Sequence, residues 1–288
     1  HFRDLVFNKH MGLPTANRLG AEVAMVSSEA LPTAVGGDVD LGLLTAQATL
    51  RLPLGRKMGA VVSGRYSNVN MIYDGLINSA RPNNNIRYRF HDLNATLLYA
   101  PTKKDVVAVD LFHGSDHASL GIVSYAVDTR LTWSNRNASL RWKRKSGHIS
   151  MDNRLYYTAY QSSLRVTQTD SRASLPASIY TIGAKSEQRY MGERGFFVYG
   201  GEIMSHTIFP QSPEVTGAYA TVYAPHQRQQ ALEGTLFLQA DFMLGDAVEL
   251  IGGLRASGFH HECLQAAIDP RLTLRYQPSK ATMWQLTA

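Results

Sequence analysis

The residues that could do chemistry sit in a few short clusters. His260, His261, Glu262 and Cys263 are consecutive, and their side chains are those of a metal site. Ligands must converge on one ion, whereas neighbours on an extended chain point to opposite faces. A bent loop could gather them, and an extended one leaves them a plain polar stretch. His113, Ser115, Asp116 and His117 supply the types of a nucleophile, a base and an orienting acid. They are sequence neighbours with nothing to make them converge. No G-x-S-x-G, H-E-x-x-H or phosphate-binding glycine loop occurs. The expectation is therefore a non-enzyme, with no catalytic residue, no metal and no cofactor.

The charged clusters are equally plain. Lys103-Lys104 and Lys143-Arg144-Lys145 flank short turns, and the net charge of +6 is modest for 288 residues. No long basic helix accompanies them, so nucleic acid is not an expected partner. The one cysteine, Cys263, excludes an internal disulfide framework.

What positions these residues is a repeating alternation. Leu44, Ala46, Ala48, Leu50 and Leu52 alternate with Thr45, Gln47, Thr49 and Arg51. Leu93, Ala95, Leu97 and Tyr99 alternate with Asp92, Asn94 and Thr96. The same period of two recurs at Ala138–Trp142, Leu236–Phe242 and Leu272–Tyr276, which is the signature of strands with one apolar face. Phe237 breaks the polar side of its strand. Helical periodicity is nearly absent. No run of 18 apolar residues occurs, so no transmembrane helix is expected. The mean hydropathy of -0.20 does not exclude a membrane, because barrel strands average lipid-facing and lumen-facing residues.

Short connections fall at Leu54–Gly59, Thr102–Asp105, Ser146-Gly147, Met191–Gly195, Gly245-Asp246 and Pro278–Ala281. They carry the Gly, Lys, Asp and Ser of hairpin turns. Longer polar connections are expected at Asp74–Ile86, Gly114–Ala126, Thr167–Ser178, Pro210–Arg228 and His260–Ile268. Short and long connections alternate, as in membrane barrels with short periplasmic turns and long outer loops. The pattern predicts about twelve antiparallel strands in a meander.

Tyr99, Trp142, Phe242 and Tyr276 lie close to a short turn on the apolar parity of their strands, and Trp284 shares parity with Leu286. Aromatic rings at one depth on the apolar face match the girdle of a barrel at the membrane boundary. A soluble β-sandwich with core aromatics near strand ends is the competing reading. It does not explain the many charges on the opposite face. Those charges include Asp92, Arg141, Asp241, Arg255, Arg271 and Arg275. They read first as a paired or solvated wall and second as groups touching a plug or ligand. Tyr219, Tyr223 and His226 in a long loop are candidates for ligand contact, although no ligand-binding residue is singled out.

Several segments together resemble TonB-dependent outer-membrane receptors of the Bacteroidota type. They are GGDVDLGLLTAQATLRLPLGRKMGAVVSGRYS (Gly36–Ser67), YGGEIMSHTIFP (Tyr199–Pro210), FLQADFMLGDAVELIGGLRASGF (Phe237–Phe259) and DPRLTLRYQPSKATMWQLTA (Asp269–Ala288). Within the first, Leu52-Pro53-Leu54-Gly55-Arg56-Lys57 and Ser63-Gly64-Arg65 fill the places of the family's first barrel hairpin. The resemblance runs from about Ala21 to the end. It implies residues 1–36 as the tail of a plug or lead-in segment and 37–288 as a partial barrel. Such barrels have about twenty-two strands in all. The chain would be a fragment: it begins at His1 without a signal peptide, and Thr282–Ala288 reads as a strand stopped in mid-course.

The function implied is import of a ligand across the outer membrane of a Gram-negative cell. Outer-membrane lipid would surround the barrel. The TonB complex would act through the missing N-terminal region, and a surface lipoprotein remains open as a further partner. The cargo is open between siderophore, glycan, peptide and cofactor. A passive porin-like or structural barrel is the first alternative, and a soluble all-β binding module the second.

Overall fold

The computed structural model describes residues 2–8, 22–27, 30–80, 84–218, 227–279 and 282–287. Two short strands, β1 (Phe2–Asn8) and β2 (Glu22–Ser27), pair with each other antiparallel. The remaining strands form a single 14-stranded sheet. In chain order they are β3 (Gly36–Leu41), β4 (Thr45–Pro53), β5 (Met58–Ser67), β6 (Asn84–Tyr99) and β7 (Asp105–Ile122). Then come β8 (Val127–Ser146), β9 (Ile149–Gln168), β10 (Ser171–Met191), β11 (Gly195–Phe209) and β12 (Glu214–Gly217). The last four are β13 (Gln229–Met243), β14 (Val248–His261), β15 (Cys263–Ser279) and β16 (Thr282–Thr287).

Each strand pairs antiparallel with its predecessor, except that β13 pairs β11 and the short β12 folds back on β10. Among the described residues β3 and β16 each have one neighbour, so the sheet is open at both edges. This is the expected meander, with two corrections. The first turn is expected at Leu54–Gly59, but the chain already turns before it, β3 passing at Gly42 into β4 to form a hairpin. Several connections expected to be long loops are strand. β7 continues through 114–122, β10 begins at Ser171, and β14 passes into β15 at a single residue, Glu262, with φ of 60°.

The reason lies in what those polar stretches face. Water on both sides of a hairpin removes the apolar parity that marks a strand, while pairing with the adjacent strand still satisfies its backbone. β7 and β8 accordingly hold register from Asp105↔Arg144 to Ile122↔Val127.

The connection after β5 is helical: α1 (Val69–Ile72) runs into a π-helical turn, Tyr73–Asn78. It has a definite job on the backbone. The β5–β6 ladder ends at Tyr66↔His91, but β6 continues beyond it. Its amides then turn to side chains. Phe90 donates to Ser67 Oγ, Tyr88 to Asn70 Oδ1 and Ile86 to Asn78 Oδ1, each at 2.8 Å. Asn78 also donates back to the Ile86 carbonyl at 3.0 Å. Three side chains replace the missing strand and leave this edge closed.

Candidate functional site

Because paired residues share a face, the register sorts every strand into two sets. One set holds Leu50, Val62, Leu93, Leu97, Tyr99, Leu140, Trp142, Leu236, Leu238, Phe242, Leu254, Leu272, Leu274, Tyr276 and Trp284. All of these but the half-buried Phe242 are exposed: Leu236 keeps 69% of its surface open, Leu272 53% and Trp284 67%. The other set is closely packed and mostly polar, with Val61, Leu98, Val198 and Phe237 as buried apolar members. Arg141 is 7% exposed, Arg255 4%, Thr235 6% and Thr96 8%. Buried charge under one face and bare leucine on the other reverses the arrangement of a soluble sheet.

The expected aromatic girdle is on the apolar face. Tyr99 faces Val107, which faces Trp142. Trp142 Nε1 donates to Asp105 at 3.1 Å, and Arg144 approaches the same carboxylate at 3.3 Å. Phe242 meets Phe197 edge-on with centroids 5.0 Å apart, and Tyr276 faces Trp284.

The polar face is a lattice of paired groups. One row runs Arg141–Arg154–Lys185–Glu202–Thr235–Ser257 across six adjacent strands. Lys143 pairs Asp152 at 3.4 Å, Arg271 pairs Asp269 at 2.7 Å, and Arg275 pairs Glu249 at 2.9 Å. Arg65 closes on Asp92 at 2.7 Å, and Arg255 donates to Thr235 at 3.2 Å. Tyr156 lies across Gly183 to reach Glu202 at 2.5 Å; a Cβ at Gly183 would stand 2.4 Å from its ring. Pro32 sits over Gly59 on this same face, where a Cβ would meet its ring at 2.5 Å. The six charges singled out from sequence, Asp92, Arg141, Asp241, Arg255, Arg271 and Arg275, therefore all lie on one face. Most hold a partner in the wall, which is the structural of their two readings.

The chemical clusters do not assemble. Asp116 faces the polar side and accepts a hydrogen bond from Tyr88 at 2.7 Å. His113, Ser115 and His117 face the other side, so no triad forms. The Tyr88 phenol, above the apolar stretch of β6, is pushed up to about 12 by burial and then by the Asp116 bond. His260 faces Leu264, while His261 faces Cys263 on the opposite side and meets the Gln230 carbonyl at 2.9 Å. Among the described residues no three metal-ligating side chains come together. Tyr219, Tyr223 and His226 lie outside the described residues.

Sequence reading missed one feature. A hollow of about 560 Å³ opens on the apolar-parity face towards the long-connection end, lined by Arg87, Arg89, Arg130 and Arg165 with His117. The signal was present in β6. Its apolar parity runs Tyr99, Leu97, Ala95, Leu93 and then turns to His91, Arg89 and Arg87.

No family model matches the chain, and no curated protein matches it. Solved structures do. Copper transporter OprC superposes with a TM-score of 0.68 at 10% identity, over 96% of this chain and 48% of that one. The FrpB iron transporter from Neisseria meningitidis gives 0.68 at 14% identity, over 97% and 51%. The alcaligin outer-membrane receptor FauA from Bordetella pertussis gives 0.59 at 12% identity, over 91% and 44%. The fold is that of a transmembrane β-barrel wall. The chain spans about half the length of the structures it matches.

Proposed function

We propose that the protein to which this wall belongs is a TonB-dependent outer-membrane receptor that imports a ligand without chemically changing it. One observation carries the reading. A long antiparallel meander bares a face of leucines such as Leu93, Leu140, Leu236 and Leu272 and packs Arg141 and Arg255 on the other, which is stable only where lipid replaces water on the outside. The likeness to transporters of copper and of iron supports a transport role over a structural one. The segments named under the resemblance support an energised receptor over a passive pore.

In this reading the polar lattice is the lumen wall. Residues 1–36 are the end of a plug, a reading supported by Pro32, which lies over Gly59 on the polar face. Ligand recognition belongs to the long connections on the outer side, where a surface lipoprotein would also dock. The test is ligand uptake by cells carrying the complete gene. Uptake should stop when TonB is deleted or the proton gradient collapsed. Unchanged uptake in both conditions favours the passive pore.

A further inference from the structure

The hollow on the outer face lies at a definite height. A lipid band ~25 Å tall, crossed at ~40°, takes about ten residues of ~3.3 Å rise each. Counting up β6 from Tyr99 in the lower girdle brings the upper edge of the band to about Arg89. There the register stacks two rows. Arg89 faces His117, then Thr132, then Ser163. Above it Arg87 faces Ser119, then Arg130, then Arg165. Three guanidiniums thus fall in one row over four strands spaced ~4.8 Å apart.

Like charges set this close on neighbouring strands repel. The wall does little to relieve them. Arg130 has Asp128 at 3.0 Å and Arg87 has Asp74 at 3.9 Å, whereas Arg89 and Arg165 have no ion pair among the described residues. Buried His117 Nδ1 also lacks a hydrogen-bond partner among them. The floor between the arginines is short and polar, Ser119, Thr132 and Ser163, so it can receive a headgroup. Arginine is the side chain that binds phosphate oxygens in pairs.

We propose that this hollow binds the phosphate groups of a phosphorylated glycolipid in the outer leaflet around the barrel. The inference rests on the membrane reading above, because only insertion sets the arginines at headgroup height. Lipid phosphate fits the place: the groups face outward, away from the lumen, and Leu93, Leu111, Leu140 and Leu155 lie further down the same face, below a row of His91, Ser115, Ser134 and Gln161. The site anchors the barrel against its own bilayer and takes no part in import.

The test uses the complete protein in phosphocholine micelles, with heat-modifiable gel mobility as the independent check that the barrel has formed. Diphosphoryl lipid A, dephosphorylated lipid A and inorganic phosphate are titrated in turn, and bound lipid is counted by native mass spectrometry. Diphosphoryl lipid A should remain bound and the dephosphorylated form should not. The triple variant Arg87→Gln, Arg130→Gln, Arg165→Gln should weaken binding by roughly a hundredfold, about fivefold for each cation lost. Equal binding of the two lipids, or equal binding by parent and variant, overturns the proposal with the barrel reading intact. Tight binding of inorganic phosphate that excludes the lipid assigns a soluble anion instead and also overturns it. A protein that never becomes heat-modifiable overturns the membrane reading and this proposal with it.

Discussion

At the scale of single residues, several side chains do what backbone does elsewhere. Asn78 accepts from the Ile86 amide and donates to its carbonyl, as a paired strand residue would. Asn78→Ala should leave both groups without a partner. Hydrogen exchange at Ile86 should accelerate by about tenfold or more, matching the ~1–3 kcal/mol of an unmade bond. Exchange at Leu97, far down the same strand, should not change. Gly183 works by what it lacks. Gly183→Ala should push Tyr156 off Glu202 and cost about 1–3 kcal/mol. Adding Tyr156→Phe should then cost little more, so a double-mutant cycle reads non-additivity of ~1 kcal/mol. Additive losses would mean that the Tyr156–Glu202 bond is not what Gly183 makes room for. Neither device was legible in the sequence. Asn78 lay in a stretch expected to be loop, and contact of Tyr156 with Gly183 and Glu202 depends on a register that only pairing defines.

At the scale of strands, alternation was the strongest signal, and it fixed the faces correctly. Leu93 and Asn94 are adjacent and point to opposite sides, one exposed and apolar, the other facing Ser63 and Phe112 on the polar wall. Leu93 sits near mid-height of the band, so Leu93→Arg should destabilise the inserted barrel by about 2–4 kcal/mol. Asn94→Arg should change it far less. Equilibrium unfolding of the complete protein in lipid vesicles measures both, and equal losses would refute the face assignment. Strand ends were harder to read. Residues 114–122 and 262–268 look like loop in composition, because above the band neither face needs to be apolar. Their order comes from neighbouring strands, which a single sequence does not display. The arginine row was hidden in the same way. Arg87, Arg130 and Arg165 are far apart in sequence, and only the register sets them side by side.

At the scale of the whole molecule, one assignment underlies the others: the face of Leu93, Leu97 and Leu140 meets lipid, and the face of Asp92, Arg141 and Arg255 meets the lumen. A nitroxide scan tests it most directly. Single cysteines are placed at each position from 92 to 99 in the complete protein, after its native cysteines, Cys263 included, are replaced. The protein is reconstituted in bilayers, and each label's collision rate is measured with oxygen, which partitions into lipid, and with a water-soluble nickel chelate. A period of two is expected, with positions 93, 95 and 97 favouring oxygen and positions 94, 96 and 98 not. Absence of alternation, or oxygen accessibility peaking at 94, 96 and 98, would contradict it.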